Sequence, residues 1–222
     1  METVLVTGSA NGMGTEICLE FLAHGYKVHG IDIVDAPYQL LNDEQYVHHI
    51  ANVCNPDELP DIDGVNILIN NAGTQGSETD IETNLVGTIN VTKKYALDNP
   101  KIKSVLNQAD ASAHLGTEFP EYVASKGGVI AYTKWVAKEI AKYGATCNSL
   151  SFGGVMTDVN IPVTQNEELW TQVMELTPLK KWTSVEEVSK WVYFMTAVNK
   201  SCSGQDVIID NLESLNGIFV WE

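Results

Sequence analysis

The stretch "YVASK" sets Tyr122 and Lys126 four residues apart within a run of helical period, 121–144. On a helix, positions i and i+4 share one face. A phenol with an unperturbed pKa near about 10 is a poor base at neutral pH. An ammonium group one turn away favours the phenolate and lowers that pKa. A tyrosine so placed can exchange a proton with a substrate hydroxyl or carbonyl. By itself such a pair is more often a surface contact, so the chemistry depends on what else the chain brings to it.

A second stretch, "TGSANGMG" (7–14), packs Gly8, Gly12 and Gly14 around Asn11 and Met13. It lies between an apolar β-branched run, "TVLVT", and a helical one, "GTEICLEFLAHG". Glycines there let the backbone turn sharply and let a pyrophosphate approach without meeting a Cβ. The freed N–H groups and the positive end of the helix then hold the phosphates. Asp32 closes "VHGID", where an acid can accept hydrogen bonds from both adenosine ribose hydroxyls. A carboxylate at that position repels a 2′-phosphate. Ser9, Ala10 and Asn11 in the turn, and Ile33, Val34 and Asp35 after the acid, bring no basic side chain. NAD is therefore expected over NADP. Ile33, Val53 and Ala72 would flank the adenine and ribose if the chain resembles known dinucleotide-binding families, with ordinary core packing as the competing reading.

Short apolar runs alternate with helical segments along the whole chain. The runs are 3–7, 27–33, 46–53, 65–73, 103–109, 146–152 and 205–210; the helical segments include 14–25, 81–99, 121–144 and 184–197. Strands buried on both faces and alternating with helices imply an α/β fold, a doubly wound, mostly parallel sheet of about seven strands. The 222 residues, 44% of them hydrophobic, suit one domain spanning 1–222. A net charge of −16 argues against nucleic acid and anionic membrane surfaces as partners. No stretch approaches the roughly 20 apolar residues that cross a bilayer. Four scattered cysteines with no CxxC pair read as reduced thiols, and the expected location is cytoplasmic. His48 and His49 adjoin with no third ligand in view, so no metal site is read.

Through these residues the chain resembles the short-chain dehydrogenase/reductase family, single-domain type. "TGSANGMG" matches that family's TGxxxGxG, Asn70 to Gly73 its NNAG, and "YVASK" its YxxxK. Asn84 in "TNLVG" matches a helix asparagine. "FGGVMT" (152–157) follows its PGxxxT with phenylalanine for proline, and "SGQDVIID" with "NLE" resembles TGQxxxxDGG. The resemblance implies a Rossmann fold and hydride transfer between a nicotinamide and an alcohol or carbonyl of small to medium size. It implies that Tyr122 is the acid/base, that Lys126 also holds the nicotinamide ribose, and that Asn84 holds a relay water. Asn71, Ala72, Gly73, Val155 and Thr157 would border the cofactor, and Asn52 would stand where the family often has an acid on the adenine. Members are usually tetramers built on the helices carrying Asn84 and Tyr122 and on a face near the last strand. A homotetramer or dimer is expected. The tail residues Phe219, Val220 and Trp221 would be buried against a partner or their own chain.

Three departures qualify the match. Only ten residues separate Gly73 from Asn84, and the brief stretch after Val53 holds Pro56 and Pro60, so this is a trimmed member without a full helix there. The family's serine, which donates to the substrate oxygen, is absent. Laid on the family's NISS, "NQAD" puts Asp110 at that position, twelve residues before Tyr122; Ser112 is the nearest serine. An ionised Asp110 repels an alkoxide, whereas a protonated acid donates. Either Asp110 replaces the serine, or Ser112 fills the role, or the site is a catalytically impaired NAD-binding relative. The segment 159–184 stands where the family has a substrate lid, with Trp170, Val173, Met174 and Leu176 as an apolar inner face. His114 is expected to border the substrate pocket.

Overall fold

The computed structural model describes residues 1–117 and 119–215. Seven strands make one sheet: β1 (Thr3–Thr7), β2 (Lys27–Asp32), β3 (Tyr46–Ile50), β4 (Val65–Asn70), β5 (Ser104–Gln108), β6 (Thr146–Phe152) and β7 (Asp206–Ile209). Their order is β3-β2-β1-β4-β5-β6-β7, and every pairing is parallel. The order reverses between β1 and β4. In open α/β sheets such a reversal leaves a crevice at the carboxyl edge.

Alternation along the strands explains why both faces are covered. Val4, Val6, Ile67 and Ile69 point into one core with α1 (Gly12–Ala23), through Ile17 and Phe21. Leu5 and Leu68 point into the other with Val91, Tyr95, Val136 and Ile140. Each central strand thus buries both faces, and its near-continuous apolar sequence follows.

Between β2 and β3 lies a single turn, α2 (Tyr38–Leu41). The β3–β4 connection holds only a 3-10 turn, Pro56–Glu58, as its two prolines imply. After β4 a π-helical stretch (Ile81–Gly87) runs into α3 (Thr88–Thr92) and a second π stretch (Lys93–Leu97). The helical period is where the sequence puts it, but the winding is wider. Such π turns occur frequently at functional sites.

A short α4 (Ser112–Leu115) precedes α5 (Pro120–Ile140), which opens on proline, where the missing N–H costs nothing. Tyr122, Ser125, Lys126, Val129, Thr133 and Val136 form its buried stripe. Segment 159–184 contains α6 (Ile161–Thr164) and α7 (Glu167–Leu176), neither with a buried residue. Helix α8 (Val185–Tyr193) starts with a capping box: Glu187 N donates to Ser184 Oγ at 3.2 Å, and Ser184 N to Glu187 Oε2 at 3.1 Å. The tail residues Phe219, Val220 and Trp221 lie outside the described residues.

Candidate active site

The glycine turn sits at the β1/β4 reversal. Gly8 N donates to Ile31 O at 2.8 Å, pinning the turn to β2. A Cβ on Gly14 would fall 1.8 Å from the Gly8 carbonyl oxygen, so the turn closes only around glycine. Thr7 Oγ1 accepts from Asn71 N and Ala72 N, both at 3.1 Å. Asn71 Nδ2 returns hydrogen bonds to Thr7 O and Gly8 O at 3.0 Å. The two asparagine-glycine motifs are thereby fastened together. Thr157 faces the turn, its Cγ2 3.6 Å from the point a Gly12 Cβ would occupy. Met13 meets the end of β5 through Gln108 Nε2, 3.6 Å from its sulfur.

Asp32 stands at the end of β2. Its Oδ2 accepts from Ala10 N at 2.9 Å and its Oδ1 from Ile33 N at 2.7 Å. It therefore couples the glycine turn to the β2 loop. A cradle that excludes any Cβ, with a carboxylate at one end, fits the diphosphate and ribose of a dinucleotide. Ile33 is exposed at the rim, and Asn11 is exposed at the start of α1. Asn52 Oδ1 accepts from Cys54 N at 2.9 Å. Of the expected cofactor neighbours, Val53 and Val155 have buried side chains in the two cores, Val53 against Gly87.

Along the crevice, Tyr122 and Lys126 stand on one face of α5 as their spacing requires. Lys126 is buried; its Nζ donates to Gln108 O at 3.0 Å and lies 5.5 Å from the Tyr122 ring centroid. Burial pushes its pKa below the ordinary lysine value, while Asp110 and Asp80 oppose that shift. Asn84, on the first π stretch, accepts from Thr74 N at 2.8 Å and donates to Thr74 O at 2.9 Å and Ser125 Oγ at 3.0 Å. A Cβ on Gly73 would lie 2.9 Å from Asn84 Oδ1, so strand end and helix touch here.

The Tyr122 hydroxyl donates to Asp110 Oδ2 at 2.8 Å. Asp110 Oδ1 accepts from Ser112 N at 2.8 Å, which fixes the carboxylate's orientation. Asp110 thus occupies the position beside the phenol that the sequence alignment gave it. Ser112 does not. Its hydroxyl is enclosed, and among the described residues it has no hydrogen-bond partner. His114 is likewise committed elsewhere, its Nε2 2.7 Å from Asp206 Oδ2.

Sequence reasoning missed Asp80. It is 1% exposed, accepts from Thr74 Oγ1 at 2.7 Å and Gly76 N at 2.9 Å, and acts electrostatically on Lys126. An acid four residues before Asn84, on the same helical face, was the available signal.

Comparison with known proteins now bears on this arrangement. A family model described as enoyl-(acyl carrier protein) reductase matches residues 8–211. The chain belongs to the short-chain dehydrogenase/reductase family, a family of oxidoreductases. Among similar curated members, 3-oxoacyl-[acyl-carrier-protein] reductase FabG of Staphylococcus epidermidis is 27% identical, covering 94% of this chain and 97% of its own. The 3-oxoacyl-[acyl-carrier-protein] reductase of a Synechocystis species is 29% identical over 87% and 88%. D-beta-hydroxybutyrate dehydrogenase of Rhizobium meliloti is 27% identical over 87% and 91%. Among solved members, a 2-deoxy-D-gluconate 3-dehydrogenase of Agrobacterium tumefaciens with bound NADP superposes with a TM-score of 0.86 at 24% identity, over 96% of both chains. A 4-hydroxyisoleucine dehydrogenase complexed with NADH superposes at 0.85 and 23%, over 95% of this chain and 98% of its own. The seven-stranded dehydrogenase/reductase fold is therefore this chain's fold. Among the described residues no helix is long and apolar enough to cross a membrane.

Proposed function

We propose that the protein interconverts a small or medium alcohol and its ketone or aldehyde, using NAD(H), with Tyr122 as acid/base. The observation that carries this reading is the meeting of Tyr122 and buried Lys126 with a glycine cradle at the sheet's reversal point. The reductase and dehydrogenase names of the relatives share a carbonyl–carbinol step, which is the part adopted here.

When bound, the nicotinamide supplies or accepts the hydride. The chain's residues do the rest. Gly8, Asn11, Gly12, Met13 and Gly14 cradle the diphosphate; Asn71, Ala72 and Gly73 wall the cleft beside it; and Thr157 faces it across the turn. Lys126 holds the nicotinamide ribose and, as an ammonium, favours loss of the Tyr122 proton. Asn84 anchors the relay on its far side. Asp32 selects NAD: its carboxylate accepts from ribose hydroxyls and repels a 2′-phosphate. All thirteen basic residues are lysines, so no arginine is available to pair with that phosphate. The solved relatives include both NADP and NADH complexes, so this preference belongs to Asp32 and its neighbours rather than to the fold.

The reading includes a cytoplasmic homo-oligomer acting on a small-molecule substrate under the lid 159–184. Four free cysteines suit a reducing compartment. Trp135 on α5 is 47% exposed, and on the other face of the sheet Trp191 is 39% and Phe194 49% exposed, as faces awaiting partner subunits would be.

One observation favours a second reading. A carboxylate that accepts the Tyr122 hydrogen bond holds the proton on the phenol, and a site so arrested binds NAD without turnover. NADH absorbance followed across a panel of ketones, aldehydes and alcohols separates the two. Consumption with any carbonyl supports the enzyme; silence across the panel, with NADH binding intact, supports the binder.

A further inference from the structure

Away from Tyr122, three segments converge on one carboxylate. Glu213 Oε1 accepts from Trp182 Nε1 at 2.9 Å and lies 3.0 Å from Thr177 Oγ1. Its Oε2 accepts from Gly154 N at 3.3 Å. Gly154 belongs to the loop after β6 that leads to Thr157. Thr177 follows the last residue of α7, and Trp182 precedes the cap of α8. Glu213 therefore binds the loop facing the glycine turn and the carboxyl-terminal end of the lid at once.

Packing reinforces the polar contacts. The Trp182 indole lies directly on Gly154, where a Cβ would fall 2.0 Å from Cε2. The same ring meets Trp170 of α7 edge-on, centroids 5.2 Å apart at 90°. The lid base is also stitched to the turn after β7: Leu179 N donates to Asn211 O at 3.3 Å, and Asn211 Nδ2 to Thr183 Oγ1 at 3.1 Å.

The turn that presents Glu213 is unusual. Asn211 (φ 53°) and Leu212 (φ 71°) are consecutive left-handed residues, and neither is glycine. Asparagine enters that region readily, but leucine avoids it unless its surroundings enforce it. Here Asp210 enforces it, with Oδ1 accepting from Leu212 N at 3.0 Å and Oδ2 from Ser214 N at 2.7 Å. The outcome of this held conformation is the placement of the Glu213 carboxylate between Gly154, Thr177 and Trp182.

We infer that Glu213 is a positioning residue, a latch that fastens the lid 159–184 to the loop 153–157. It holds the lid's hinge end so that lid and loop move together. The inference rests on the reading above for what that loop and lid do, but the latch itself is testable without cofactor.

The test uses Glu213→Ala, Glu213→Gln and Trp182→Phe in the full chain. Under native conditions, limited proteolysis within 159–184 is expected to run about ten-fold faster in Glu213→Ala, the size expected from losing hydrogen bonds to a charged group. Tryptophan emission should shift red as Trp182 loosens. Glu213→Gln keeps an acceptor for the indole and should fall between. Trp182→Phe keeps a ring over Gly154 but removes the N–H, and should also be cleaved faster than wild type. It serves if Glu213→Ala fails to fold. In a carbonyl assay the lid variants should raise KM more than they lower kcat. Cleavage rates and emission equal to wild type in Glu213→Ala, or a cleavage rate equal to wild type in Trp182→Phe where the alanine variant does not fold, overturn the latch. Absence of NADH binding in wild type overturns the functional reading alone, since proteolysis and emission still decide the latch.

Discussion

Asp110→Ser is expected to raise the rate of NADH-dependent carbonyl reduction by about 100-fold, the size of one donor aimed at a developing oxyanion. The wild-type carboxylate has two effects that serine removes. It accepts the Tyr122 hydrogen bond at 2.8 Å, which stabilises the protonated phenol. It also presents negative charge where an alkoxide gains its own. A serine hydroxyl can donate there instead. The geometry favours a clean comparison, because Asp110 Oδ1 is held by Ser112 N and the enclosed Ser112 hydroxyl does not compete for the role. The check is kcat and KM for both proteins on the same carbonyl panel. Equal rates would mean that position 110 does not face the substrate oxygen.

Lys126→Met is expected to lower kcat by at least about 100-fold, within the range for a positioned acid–base system, without a matching loss of stability. Burial is the main reason its ammonium is held below the ordinary lysine pKa. The linkage follows from that direction. With a folded pKa below the unfolded value of about 10.4, the unfolded chain binds more protons in the interval between them. Lys126 therefore makes the wild type relatively more stable as pH rises through that interval. At neutral pH it is a burden, carried because the charge acts on Tyr122. Thermal unfolding of both proteins from pH 7 to 10 should show the wild type gaining on Lys126→Met with rising pH. A constant difference across that range would mean that the lysine titrates alike in both states.

Legibility in the sequence followed the range of the interactions. The seven strands were readable because each buries both faces, as Val4, Leu5 and Val6 do in turn. The glycine turn and the Tyr122–Lys126 pair were readable because their chemistry lies within a few residues. Asp110 was legible only as a spacing of twelve from Tyr122; its hydrogen bond to the phenol needed the packing of α5 on β5. The bond from Glu213 to Trp182 joins residues 31 positions apart, and that to Gly154 joins residues 59 apart. No local pattern announces either. The left-handed Leu212 was hidden for a different reason: leucine argues against the conformation it adopts.

The central claim is that the bend from β1 into α1, with Asp32 beside it, is a seat for NAD(H). Calorimetric titration of the wild-type protein with NADH and NADPH tests it most directly. The account predicts saturable one-site binding of NADH and binding of NADPH weaker by at least about ten-fold, a penalty near 1.4 kcal/mol for a 2′-phosphate facing a carboxylate. Equal or tighter binding of NADPH would contradict the role given to Asp32, and no heat from either nucleotide would contradict the account as a whole.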